Sequence, residues 1–180
     1  MVEREVQRLR ELLKQRQFAP VLSATEALLA TVPENRDVLY LRAVAQRLAG
    51  DIPSALATLT ALESLYPRFS GLYQERGHCH IALRQAPEAI DAFLRAVNIN
   101  PALPASWRLL ESLYRMAGQT PQAEQAAEHV ATLARLPAEI VTATGLFCDG
   151  ELAPAEQLVR AYLRSHGDHI EAMRLLARIG

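Results

Sequence analysis

The chain has 180 residues, half of them apolar, and 19 lysines and arginines stand against 20 aspartates and glutamates. That length suits one substantial domain or an extended array and excludes two large enzyme domains, while the apolar half excludes wholesale disorder. A net charge of −1 lacks the basic excess that displaces counterions from nucleic acid, so no nucleic-acid partner is expected.

The N-terminus, MVEREVQRLRELLKQRQ, is charged and amphipathic and does not read as a secretory signal. No later segment approaches the roughly 20 apolar residues that span a bilayer, so no membrane partner is expected. Cys79 and Cys148 make no disulfide framework and suit a reducing compartment, which together with the N-terminus implies a cytoplasmic location. Alanine and leucine dominate while only 6% of residues are aromatic, a bias towards helix.

Prolines punctuate the chain at a fixed interval. Pro33, Pro67 and Pro101 stand 34 residues apart, and Pro53, Pro87 and Pro121 repeat the interval in a second phase. Pro20 and Pro154 extend the second series with steps of 33. Proline is tolerated in a helix's first turn, where its missing N–H has no partner, and it stops a preceding helix. One series therefore marks helix ends and the other helix starts.

Between them the apolar residues keep helical spacing. Ala89, Phe93, Ala96 and Val97 fall at i, i+4, i+7 and i+8, and Ala155, Leu158, Val159, Tyr162 and Leu163 follow the same rule. No strand-like alternation of useful length occurs. The predicted unit is a helix–turn–helix, repeated over residues 2–35, 36–69, 70–103, 104–136 and 137–168, with a terminal helix over 169–180, all within a single domain spanning 1–180.

A 34-residue unit of this anatomy resembles the tetratricopeptide repeat, whose pattern runs W-x2-L-G-x2-Y, then A-x3-F, then P. The second unit carries Ala43, Ala55, Leu59 and Pro67; the third carries Gly77, Ala89, Phe93, Ala96 and Pro101. The fourth carries Trp107, Leu110 and Tyr114, with Glu111 where glycine is usual, then Gly118 in the turn and Ala123. The first is degenerate, with Val21 and Thr25 in place of the small and aromatic residues. The expected fold class is all-α, a right-handed α-solenoid of about five stacked hairpins plus a terminal helix. Ala43, Gly77, Ala55 and Ala89 would let the helices of a pair approach closely, with Phe93 and Trp107 filling the wider gaps.

Stacking would place the first helix of each pair on a concave face, so residues 34 apart would form columns across it. Three such columns are Tyr40, Gln74 and Arg108; Val44, His78 and Ser112; and Arg47, Ile81 and Arg115. Their aromatic, amide, imidazole and guanidinium groups suit a protein or peptide segment, an acidic one in particular, because arginine forks pair with carboxylates. The lysines and asparagines with which one subgroup of these proteins grips acidic chaperone tails are absent; Tyr40, Val44, Gln74 and His78 stand there instead.

No catalytic or metal site is expected, and no cofactor. His78 and His80 are two residues apart, so on a helix they point about 200° apart and cannot share an ion. Cys79 between them reads as a small buried packing residue. The His166–His169 stretch, HGDH, reads as a loop leading into a helix with Asp168 as its cap. No phosphate-cradling glycine loop or nucleophile–base set occurs, and the carboxylates Glu88, Asp91, Glu124 and Glu128 read as solvated helix faces.

The last helix bears Met173, Leu176 and Ile179 on one face and has neither a following partner nor a polar cap, which solenoids normally require. The chain therefore reads as an array cut from something longer, with self-association through this helix expected. A narrower resemblance points the same way. ENRDVLYLRAVAQRLAGDIPSALATLTALESLYPRFS, QERGHCHIALR, AFLRAVNINPALPASWRLLESLYRM, ARLPAEIVTATGLF and HGDHIEAMRLLARIG are similar to the N-terminal repeat region of bacterial tetratricopeptide-repeat sulfotransferases. In such proteins a C-terminal α/β domain transfers sulfate from 3′-phosphoadenosine 5′-phosphosulfate. Its phosphate-binding loop is not among these residues, so the resemblance implies parentage for the segment and no catalytic residue. It leaves two expectations: the interaction region of a sulfotransferase-like protein, or a free-standing adaptor that assembles a bacterial complex.

Overall fold

A computed structural model describes residues 2–180; Met1, the first residue of the predicted 1–180 domain, lies outside the described residues. Among the described residues there are eleven α-helices and no strand: α1 (Val2–Lys14), α2 (Phe18–Thr31), α3 (Arg36–Leu48), α4 (Ile52–Leu65), α5 (Ser70–Ala82), α6 (Ala86–Ile99), α7 (Pro104–Met116), α8 (Thr120–Ala134), α9 (Ala138–Cys148), α10 (Leu152–His166) and α11 (Ile170–Ile179). The all-α architecture of successive helical hairpins expected from the proline ladder is the one observed. No single helix is long and apolar enough to cross a membrane.

The prolines act as their chemistry requires. Pro33, Pro67 and Pro101 lie just past the ends of α2, α4 and α6, while Pro53, Pro87 and Pro121 occupy the second residue of α4, α6 and α8. Asn35 caps α3 by accepting the Val38 N–H at 3.0 Å, and Asp51 caps α4 by accepting that of Ser54 at 3.2 Å. The hydrogen bonds from Ser54 hold the Asp51 carboxyl below its ordinary value.

A second ladder lies in the backbone. Arg16, Gly50, Arg84, Gly118 and Gly150 all adopt positive φ, between 59° and 89°. Each follows the first helix of a hairpin and closes the same motif. The amide of Gly50 reaches the carbonyl of Arg47, and that of Asp51 reaches Gln46; the equivalent pairs recur at Arg16, Arg84, Gly118 and Gly150. This is the Schellman closure, which satisfies carbonyls left over at a helix end and favours glycine at its left-handed position. The steps are 34, 34, 34 and then 32, because α9 has 11 residues where α3, α5 and α7 have 13.

The chain divides into two compact units, Met1–Ala92 and Phe93–Gly180. In the first, α2 packs on α1 and α3, and α4 on α3 and α5; α3 also touches α1 and α5, so the odd-numbered helices form one layer. Val6, Leu9, Val21, Val38, Leu41 and Ala45 make a core cluster there. In the second, α7 packs on α8, α10 on α9 and α11, and α9 on α11. Its cluster is Ile140, Ala143, Val159, Ala172 and Leu175. Each large apolar side chain fully withdrawn from water contributes roughly 1.5–3 kcal/mol. Asn100, buried, ties the loop before α7 to α9 by donating to Gly145 O at 3.1 Å and to Asp149 at 3.0 Å.

The small positions Ala43, Ala55, Gly77 and Ala89 are all buried, as is Phe93. Three expectations need correction. Trp107 is only half-buried. Its indole N–H needs an acceptor and takes Pro101 O at 2.9 Å, and its ring stacks on exposed His129 at 3.9 Å. The cap of α11 is His169, whose Nδ1 accepts the Ala172 N–H, rather than Asp168, which lies one residue too early. Leu176 and Ile179 pack onto the α9–α10–α11 cluster because α11 starts a further hairpin-like layer on α9. On α11 the large apolar residues left in water are Met173, at 43% exposure, and Ile170, at 63%.

Candidate partner-binding face

In the first unit the predicted face falls on α3 and α5. Tyr40 is half-buried, its ring edge-on to Phe69 at 5.4 Å, and Arg36 lies over the same phenyl ring at 4.8 Å. Val44, Gln74 and His78 are half-buried, and Ile81 is exposed. Arg47 donates through Nε to Glu75, and through its second nitrogen to the other carboxylate oxygen at 3.4 Å. Glu75 is only 3% exposed. The fork of Arg47 is thus already engaged across α3 and α5.

Other polar groups of this unit are paired in the same manner. Thr58 donates to Gln46 at 2.7 Å, and Arg76 meets Glu63 at 2.7 Å while Tyr73 donates to that carboxylate at 3.0 Å. Burial lowers the pKa of His78, with Glu75 opposing and Arg47 reinforcing the shift. Burial likewise pushes the Cys79 thiol up to about 11, so Cys79 is the inert packing residue its sequence context indicates.

The second unit differs. Arg108, Ser112 and Arg115 on α7 are all exposed. Arg115 pairs with Glu111 one turn back at 2.7 Å, a surface contact of small energetic weight. Arg108 makes no ion pair or hydrogen bond among the described residues. It stands at a cavity of about 390 Å³ whose walls include Pro104, Val130, Leu133, Leu136, Val141 and Thr142. Thr142 is 34 residues beyond Arg108, so the predicted column continues onto α9. A second cavity of about 450 Å³ shares Leu136 and runs between α9 and α11, past Ile140, Thr144, Glu171, Arg174, Leu175 and Arg178.

Sequence reasoning missed Glu75, and it missed Leu136, Thr142, Arg174 and Arg178. Thr142 was reachable by one more step of the repeat. Glu75 could have been flagged as a lone carboxylate on the small-residue helix SGLYQERGHCHIA. The two histidines of the HGDH stretch instead flank an aromatic ring: Tyr162 stacks on His166 at 4.4 Å and meets His169 edge-on at 5.5 Å.

No protein-family model and no curated protein matches the chain. Solved structures of similar fold do. A thermophilic tetratricopeptide-repeat protein of Thermus thermophilus, TTC0263, aligns over 99% of this chain and 98% of its own, with a TM-score of 0.65 and 19% identity. A tetratricopeptide-repeat protein from Parabacteroides merdae aligns over 98% of this chain and 71% of its own, at 0.63 and 14%. A chain in the structure of Naa15/Naa10 bound to HypK-THB aligns over 94% of this chain but only 26% of its own, at 0.68 and 17%. Together with the all-helical hairpin architecture, these likenesses establish the tetratricopeptide-repeat fold.

Proposed function

We propose that this chain of tetratricopeptide-repeat fold is a non-catalytic scaffold that holds a protein or peptide segment on odd-numbered helices of its compact units. The residues assigned to this role are Tyr40, Val44, Arg47, Gln74 and His78 in the first unit and Arg108, Ser112 and Arg115 in the second. The observation that carries the reading is Arg108, an exposed guanidinium with no partner of its own beside an apolar cavity. Arginine so placed is suited to a bidentate grip on a carboxylate. A chain of similar fold found in a structure of Naa15/Naa10 bound to HypK-THB supports a protein partner in general terms. Fold alone warrants no more than that.

Affinity capture from cell extract tests the reading. Wild-type chain and the Arg108→Glu, Arg115→Glu double variant are compared at equal folded concentration. The double variant is expected to lose the captured partners, and an unchanged set overturns the assignment. The similarity of the quoted stretches to sulfotransferase repeat regions carries a second element of the proposal: that the scaffold serves a sulfotransferase-like protein by delivering a substrate protein to a catalytic domain. Reading the gene beyond Gly180 tests this element. An immediate stop codon removes it and leaves the free-standing adaptor.

A further inference from the structure

The joint between α10 and α11 holds two histidines whose protons have opposite consequences. His166 closes α10, where its Nδ1–H donates to the carbonyl of Tyr162 at 3.2 Å and its ring stacks on the Tyr162 ring at 4.4 Å. Three residues on, His169 opens α11, accepting the Ala172 N–H on Nδ1 and meeting the same Tyr162 ring edge-on at 5.5 Å. We infer that this joint is an acid-sensitive latch: protonation of His169 uncaps α11 and releases it from α9 and α10. What α11 covers gives the latch its consequence. Ala172 and Leu175 form one cluster with Ile140 of α9 and Val159 of α10, neither of which is more than 1% exposed. Release of α11 bares that apolar surface and removes the wall that Arg174 and Arg178 give the α9–α11 cavity.

An imidazole accepts a hydrogen bond on Nδ1 only while that nitrogen carries no proton. A proton taken up by His169 and the Ala172 N–H therefore compete for one lone pair. The imidazolium also brings positive charge to the first turn of α11, where unpaired N–H groups already form the positive end of the helix dipole. At His166 the signs reverse. A cation there lies beside the last carbonyls of α10 and over the face of Tyr162, both favourable to positive charge. With both rings charged, two cations flank one tyrosine, a repulsion that is relieved when α11 moves away. The other ionisable groups of α10 are Arg164, in the last turn, and the paired Glu156 and Arg160. Asp168 precedes the cap, and Glu171 on α11 is already held by Arg174 at 2.6 Å, so it offers a protonated His169 little compensation. α9, packed on α11, carries Glu139 in its first turn and Cys148 and Asp149 at its end, where Arg178 lies over Phe147. Acid therefore leaves α10 its end and takes from α11 its beginning.

Backbone amide exchange of the full chain, corrected for intrinsic rates, tests the latch from about pH 8 to about pH 5, the range in which imidazoles take up a proton. Protection of the α11 amides is expected to fall about tenfold over this range, while that of α7 and α8 changes by less than about twofold. His169→Asp supplies a carboxylate that caps the helix throughout, so its protection should stay level. His169→Ala should show the low protection already at about pH 8, and His166→Gln should keep the acid loss at reduced amplitude. An α11 as well protected at about pH 5 as at about pH 8 overturns the inference, as does an acid loss that persists in His169→Asp. Nitrogen NMR of the wild-type imidazoles gives an independent reading that needs no variant. It should find the proton of neutral His169 on Nε2; a proton on Nδ1 would rule out the cap and the latch with it.

Discussion

Glu75 is a carboxylate almost without water, and it pairs with Arg47 on the neighbouring helix. Removing one partner of such a pair strands the other's charge, whereas replacing both with apolar groups can be neutral. Glu75→Ala is therefore expected to lower unfolding stability by about 2–3 kcal/mol, somewhat less than for a fully buried pair because Arg47 retains some solvent contact. Arg47→Met combined with Glu75→Leu should recover most of that loss in urea titrations. His78 beside them makes stability depend on pH. Burial, the largest effect, holds its folded pKa below the ordinary imidazole value of 6.5, so the unfolded chain takes up a proton first as the solution is acidified. The contribution is complete above that ordinary value and is lost as pH falls through the lower folded value. Denaturant midpoints measured below pH 6.5 should decline with acidification, and His78→Gln should flatten the decline. A steeper decline in the variant would refute the assignment.

The helices themselves were legible because proline acts locally: its ring fixes a helix's first turn or forbids continuation wherever it stands. The turn ladder was hidden because two of its five left-handed positions hold arginine, Arg16 and Arg84, where the motif favours glycine. Nothing in a charged residue's identity announces a positive φ; the demand comes from the hairpin that must close around it. Arg84→Gly is expected to stabilise the chain by roughly 0.5–1 kcal/mol, the relief of left-handed strain less the added freedom of the unfolded glycine. A thermal midpoint that falls in this variant would mean that the arginine side chain contributes more than its backbone costs. The candidate site was legible only in part, for the same reason of range. Repeat arithmetic reaches Arg108 and extends to Thr142, but the engagement of Arg47 by Glu75 joins residues 28 apart in sequence and has no local signature. The cavity walls contributed by Leu136, Arg174 and Arg178 depend on how α9 and α11 pack, which the shortened α9 displaces from the 34-residue rule.

Stability in a chain of this kind is distributed among neighbouring hairpins and does not depend on one central core. The packing pairs are nearly all between helices close in sequence, and each compact unit carries its own apolar cluster. When contacts are mostly between neighbours, stability approximates a sum of local and adjacent terms, and opening can occur piecewise. The two units therefore need not respond together to a core lesion. Ile140→Ala removes a fully buried side chain from the Phe93–Gly180 unit, and Leu59→Ala does the same in Met1–Ala92; either should cost about 2–5 kcal/mol where it acts. Native-state hydrogen exchange is expected to show Ile140→Ala stripping protection from α9, α10 and α11 while α1 to α4 keep theirs, and Leu59→Ala giving the reverse pattern. Equal loss along the whole chain in both variants would instead mean one cooperative transition. That result would make a partner held at Arg108 report on α1 as strongly as on α9, whereas local opening confines the consequence of binding to the hairpins that touch it.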